Sequence, residues 1–302
     1  MRFIAKTLMV LAVIAVMVSF GVQQASADAL LFPYFKSGGG AYTFVSLQST
    51  WGGAVTTVYN YDLLSTPATE CIHEDHSGSM TAYDLAQFEV TKQIDLKTLF
   101  GDTSATQNLH LLVPNTQGFF IVDNALAIEG DFYGQAAIVD SATGIVTAYK
   151  ALNNPTSVVL GTWSDPTVSK TSFIMSNYPD PTVSTTWFVL VTGNGMDALA
   201  GWLGKVSLSN GFALVWNRDE VWVSGDKPKD ITCFGFITRS DIMQAGQVTN
   251  SNNGGLWWEL TPPAVVPAGA TGALMYKFES TTALGGTKTV ISSEPAFPNF
   301  PY

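Results

Sequence analysis

"AYTFVSLQS" (Ala41–Ser49), "AVTTVYNY" (Ala54–Tyr61) and "GFFIVDN" (Gly118–Asn124) share a grammar that recurs almost to the end of the chain. Each is a short run of β-branched and aromatic side chains, partly alternating, and closed by Gly, Pro, Asn or Ser. Such runs fit a pleated, half-buried surface and are too short to build an amphipathic helical face. "YGQAAIVDSATGIVTAYKAL" (Tyr133–Leu152) writes two of them around "DSATG", a hairpin signal. "TWGG" (Thr50–Gly53) suits a hairpin connection between the first two runs, and "YDLAQFEV" (Tyr83–Val90) alternates again. Helical patterns are confined to "SATQNLHLLV" (Ser104–Val113) and "GMDALAGWLGKV" (Gly195–Val206), both short. The expected fold is mainly β: an antiparallel β-sandwich, immunoglobulin-like or jelly-roll-like, with few short helices. "NNPTS" (Asn153–Ser157) is the expected boundary between two lobes of one compact body.

The start of the chain speaks to compartment. Arg2 and Lys6 precede an uncharged apolar run of 16 residues, Thr7–Val22, and "ASA" (Ala25–Ala27) sets small residues at −3 and −1 before Asp28. That order predicts a cleaved signal peptide over residues 1–27, because the run falls short of the roughly 20 residues a spanning helix needs. Without a twin-arginine pair, export of an unfolded chain is expected, and with it no preloaded cofactor. The expected location is periplasmic, cell-surface or extracellular.

Losing Arg2 and Lys6 makes the formal charge of −10 two units more negative. That disfavours nucleic acid and anionic membranes, which need clustered Lys and Arg. Charged residues are only 13% of the chain, about half the usual share, so Ser, Thr, Asn, Gly and Gln must cover the surface. After Val22 no apolar run is long enough to span a bilayer as a helix. A membrane barrel would close on an alternating final strand. The end here is "EPAFPNFPY", whose Pro295, Pro298 and Pro301 cannot donate to a ladder.

Two cysteines, Cys71 and Cys233, are expected to pair in an oxidising compartment. Closing so long a loop is worth about 5 kcal/mol on chain-entropy arguments. Cys71 also opens "ECIHEDH" (Glu70–His76), which offers a second reading: Cys71, His73 and His76 as ligands of a catalytic zinc. The two readings compete for one sulfur. The disulfide in a solvated loop is preferred, because His76 needs a turn to join the other two and His110 lies in another segment.

Other motifs carry less. "TWFVLVTGNGMDALAGWL" (Thr186–Leu203) presents Gly193, Gly195 and Ala198 in the spacing of a dinucleotide fingerprint, with Asp219 about 20 residues beyond. No alternation of strands and helices supports it, so a Gly-Asn-Gly turn between antiparallel strands is expected. "SGDK" (Ser224–Lys227) matches Ser-x-x-Lys but runs into Pro228 and reads as a turn. Of the tryptophans, Trp187, Trp216 and Trp222 sit in apolar runs and are expected in the core. Trp51, Trp163 and the pair Trp257–Trp258 lie beside Gly, Ser and Asn in expected loops. There they could stack on sugars or anchor a protein contact.

"DALLFPYFKSGGGAYTFVSLQS" (Asp28–Ser49) resembles secreted envelope proteins of Gram-negative bacteria that open with a Leu-Phe-Pro segment, then a Thr-Phe-Val-Ser strand and a Tyr-rich strand. "GQAAIVDSATGIVTAYKALNN" looks like a hairpin of the same group. The resemblance implies a secreted β-sandwich and brings neither activity nor site residues. The functional expectation is therefore an exported, non-catalytic binding or assembly protein, with a glycan or envelope protein as partner. Its alternative is a secreted metal-dependent hydrolase using Cys71, His73 and His76.

Overall fold

The computed structural model describes residues 29–65, 71–94, 108–124, 132–142, 145–153, 172–176, 183–193, 196, 202–209, 215–216, 222–223, 227–243, 255–261, 270–281 and 288–293. The fold is mainly β, as expected. The chain divides into two compact units: Met1–Ala68 with Ile72–Leu160, and Thr69–Cys71 with Gly161–Tyr302.

Among its described residues the first unit contains nine strands: β1 (Ala29–Ser37), β2 (Ala41–Ser49), β3 (Gly53–Leu63), β4 (Ile72–Met80), β5 (Asp84–Glu89), β6 (Thr116–Asn124), β7 (Phe132–Asp140), β8 (Ile145–Lys150) and β9 (Leu152–Asn153). One sheet runs β4-β3-β6-β1-β9 and the other β8-β7-β2-β5. Every pairing within them is antiparallel. The inward sides meet in one apolar core. Leu30, Phe32, Phe35, Val55, Tyr59, Phe120 and Val122 come from the first sheet, and Val45, Leu47, Ala86, Phe88, Phe132 and Ala136 from the second. That is a β-sandwich. Phe32 stacks on Phe120 at 4.4 Å between ring centroids, and the buried Tyr59 hydroxyl donates to Leu109 O at 2.6 Å. Pro33 is accommodated by an irregularity: the β1–β6 register shifts between Phe32 and Phe35, where a residue without an N–H belongs.

The expected hairpin at "DSATG" is present, with Asp140 opposite Ile145. The one expected at "TWGG" is not. β2 is paired on both edges, with β5 and with β7, so it has no edge left for β3. "TWGG" instead carries the chain from one sheet to the other. At the opposite end of β2 the crossing is made by Gly38, Gly39 and Gly40, all at positive φ.

The second unit contains β10 (Ser172–Ser176), β11 (Ser184–Gly193), β12 (Lys205–Ser209), β13 (Val215–Trp216), β14 (Trp222–Val223), β15 (Lys229–Thr232), β16 (Phe234–Ile237), the four-residue helix α1 (Arg239–Ile242), β17 (Gly255–Thr261), β18 (Ala270–Thr281) and β19 (Lys288–Ser293). Here β16-β11-β18-β19 form one antiparallel arrangement and β14-β13-β17-β12-β15 another, with β10 paired to β17. β11 is flanked by β16 and β18, and Trp187–Val191 are buried without a break. That is how a strand covered on both faces reads in sequence.

Neither sequence-predicted helix forms among the described residues. Asn108–Val113 is irregular, with Leu112 at φ 60° and Leu111 N–H donating to Val90 O at 2.8 Å. Trp202–Gly204 is irregular too and leads into β12. The indole of Trp202 folds back over Gly204, where a Cβ would lie 2.0 Å from the ring, and its Nε1–H donates to Val191 O at 3.0 Å. Burial of that ring overrides the helical pattern. α1 was not anticipated; it opens at Thr238, whose N–H donates to Asp241 Oδ2 at 2.8 Å. No helix among the described residues is long and apolar enough to cross a membrane.

Candidate functional site

Cys71 and Cys233 are disulfide-bonded, with Cα atoms 6.1 Å apart and 162 residues between them in sequence. Cys233 is buried at the passage from β15 to β16, in a left-handed conformation with φ 63°. Its N–H donates to Gly204 O at 2.7 Å and its carbonyl accepts Val191 N–H at 2.9 Å. The sulfur that a metal site would need is therefore taken.

The segment after Cys71 is a strand, not the expected loop. β4 pairs with β3 from Ile72↔Tyr61 to Met80↔Gly53 and forms the edge of its sheet. An edge strand tolerates charges on both faces, which is why a loop-like composition can be a strand here. Successive residues point to opposite faces, so His73 and His76 are separated. His76 shares the side of Glu74 and the core residue Tyr59: its Nε2 lies 2.7 Å from Glu74 Oε1, and its ring meets Tyr59 edge-on at 6.0 Å. Tyr61 donates to Glu74 Oε2 at 3.3 Å, and burial, with the Glu74 charge, pushes its hydroxyl up to about 12. On the other face His73 Nε2 lies 2.6 Å from Asp75 Oδ1, close in distance but out of line for a hydrogen bond. The structure does not bring Cys71, His73 and His76 to one point. Among the described residues no three His, Cys, Asp or Glu side chains are placed to hold a metal. His110 is separate again, its Nδ1 2.7 Å from Glu89 O.

The dinucleotide reading, set aside from the sequence, gains no support from the pairing of β11. β11, which ends at Gly193, runs antiparallel to both β16 and β18, so it opens no strand–helix–strand unit. Gly195, Ala198, Asp219 and Ser224 lie outside the described residues. Lys227 Nζ donates to the backbone carbonyl of Ser240 at the surface.

Of the tryptophans, Trp187 is fully buried, as expected. Trp216 and Trp222 are register partners in the β13–β14 pair. Trp257 and Trp258 are not in a loop: they lie in β17, opposite Ile174 and Phe173 of β10. The run "GLWWELT" supplies the β propensity that the neighbouring asparagines obscure. Trp163 lies outside the described residues, as do residues 1–27, the expected signal segment. Trp51 is where the sequence suggested, in a turn and 46% exposed.

Trp51 flanks the feature that sequence reasoning missed. Gln48, Ser49, Thr50, Tyr83, Asp84, Leu85 and Tyr133 line an open groove of about 460 Å³ at one end of the first unit. Leu85, Gln48 and Tyr133 are directly opposite one another across β5, β2 and β7, and so share one face of the sheet. Tyr83 sits in the turn before β5. It is 85% exposed and holds φ at 62°, a conformation unusual for any residue but glycine and strained for a bulky one. Asp84 secures that turn, its Oδ2 accepting Thr81 N–H at 3.2 Å and its Oδ1 accepting Leu85 N–H at 2.8 Å. Ser49 secures the Trp51 turn. Its hydroxyl donates to Trp51 O at 2.6 Å and accepts Trp51 N–H and Asn124 Nδ2, each at 3.2 Å. The two turns touch through backbone, since a Cβ on Gly52 would lie 2.9 Å from Ala82 N and 3.1 Å from Met80 O. In sequence Tyr83 reads as the first residue of a strand, and nothing local marks its positive φ.

A second buried polar cluster lies by the far end of β2. Glu89 has no exposed surface. It accepts Ser37 Oγ at 3.2 Å, Thr91 Oγ1 at 3.3 Å and Gln93 N–H at 2.8 Å. Burial raises its carboxyl above the ordinary range, against the lowering pull of those hydrogen bonds. Nearby, Lys36 Nζ meets the buried Asp140 at 2.6 Å.

No model of a known protein family matches the chain, and no curated protein matches it in sequence.

Proposed function

We propose that this is an exported, non-catalytic β-sandwich protein of the cell envelope or exterior, acting by binding or assembly on a glycan or protein partner. One observation carries the reading: two exposed aromatic residues, Trp51 and Tyr83, are held on adjoining, hydrogen-bonded turns beside a groove. Backbone strain at an exposed aromatic is retained where display of that side chain is useful. The groove offers ring faces, an amide and hydroxyls, while its carboxylate, Asp84, is engaged by two backbone N–H groups. These are the parts of a recognition surface.

Retention on isolated cell envelopes tests the reading. The Trp51→Ala/Tyr83→Ala double variant is expected to lose at least about tenfold in affinity, and His73→Ala to behave as wild type. Equal retention of all three overturns the assignment of the groove. N-terminal sequencing of the exported protein should begin at Asp28; a chain retaining residues 1–27 overturns the export reading.

A further inference from the structure

We propose that the groove binds a stretch of neutral oligosaccharide, with the Tyr83 ring and the Trp51 indole stacking on the apolar faces of successive sugar rings. This rests on the binding reading above and adds the chemistry of the occupant.

Four observations carry it. The backbone that carries both rings is already fixed: at Tyr83 by its Asp84-secured turn, at Trp51 by the Ser49 hydroxyl, and between the two turns by the close approach at Gly52. A ligand that stacks on the rings therefore meets little cost in ordering the backbone beneath them. The polar groups suit hydroxyls, which both donate and accept. Gln48 lies between Leu85 and Tyr133, and the next row on the same face repeats the amide, with Gln87 and Gln135 on either side of Ser46. Thr50, also lining the groove, has a buried hydroxyl oxygen with no partner in the protein. Charge selects a neutral ligand, since none of the described lining residues is cationic and the chain is acidic overall. Size selects a small one. A groove of about 460 Å³ falls in the range of ligand sites, whereas a folded protein partner needs roughly 800 Å² of surface on each side.

Affinity electrophoresis of the whole chain tests the proposal, in gels containing a β-glucan, an α-glucan or a galactomannan, with alginate as the acidic comparison. At least one neutral polysaccharide should retard the wild type, and Tyr83→Phe should be retarded equally because its ring remains. Tyr83→Ala and Trp51→Ala should each weaken the apparent Kd about tenfold or more, with unchanged circular dichroism and melting. The oligosaccharide of the retarding polymer should blue-shift tryptophan emission in the wild type and not in Trp51→Phe. Retardation by alginate alone, or by no gel, overturns the proposal. So does retardation that both alanine variants leave unchanged. The two readings fail separately. If neutral gels fail but the double variant still loses envelope retention, the occupant is not a neutral glycan and only the sugar assignment falls. If retention is unaffected as well, the binding reading falls with it.

Discussion

The two ends of β2 solve the same problem with opposite residues. Before Ala41 the chain crosses between sheets on Gly38, Gly39 and Gly40, at φ 96°, 64° and 96°. Beyond Ser49 the neighbouring turns carry Trp51 and Tyr83, and the left-handed position there is filled by tyrosine at φ 62°. Glycine takes such a conformation without steric cost, whereas a residue with a Cβ is strained in it. The glycine end is closed by buried polar pairs, Lys36 with Asp140 and Ser37 with Glu89. The tyrosine end puts its side chain into solvent. One end is built for closure and the other for display, and the difference lies in what occupies positive φ.

The largest expected effect comes from giving the closure end a side chain. In Gly38→Ala the new Cβ would lie 2.4 Å from Asn115 N, at a φ that alanine adopts poorly. A loss of about 3 kcal/mol or more is expected in chemical denaturation, and a loss under about 1 kcal/mol would mean that this turn can reshape as freely as the other. The reverse exchange at the display end should act oppositely. Tyr83→Gly is expected to gain about 1 kcal/mol by relieving the strained φ, while losing envelope retention. Were it destabilising instead, the tyrosine would be a packing residue and the contrast between the two ends would fail.

The smallest effect concerns pH at the closure end. Glu89 carries a carboxyl raised by burial above its ordinary value of 4.5. A folded-state value above the unfolded one means that the favourable contribution is complete below the unfolded value and is lost as pH rises through the folded one. Wild type should therefore lose this contribution as pH climbs from about 4.5 toward neutrality, and Glu89→Gln should not. Urea denaturation of both proteins at the two pH values reads the difference. The same slope in both would place the titration elsewhere.

The strands were legible wherever burial forces β-branched and aromatic residues together. β2, β3, β6 and the β7–β8 hairpin all announce themselves this way, because their inward positions fill one core. β4 was not legible, since an edge strand has no need of an apolar face and "IHEDHSGSM" spells a loop. Sheet membership was hidden too: β2 and β3 are adjacent in sequence, but both edges of β2 go to distant partners. The disulfide followed from counting two cysteines in the expected oxidising compartment. Trp51, next in sequence to the lining residue Thr50, could be read from an isolated indole among small polar residues. Tyr83 could not, because positive φ is imposed by the Thr81–Asp84 turn and by the neighbouring backbone at Gly52.

The spacing of the two cysteines also makes the disulfide a record of completion. Cys71 comes immediately before β4, yet its partner stands 162 residues later, between the last two strands before α1. With two cysteines a chain has one internal pairing and nothing to reshuffle, so an oxidant alone suffices and no isomerase has a task. A copy truncated before Cys233 would instead carry a lone thiol beside β4. Any machinery that captures thiols could then tell finished molecules from unfinished ones by that single atom.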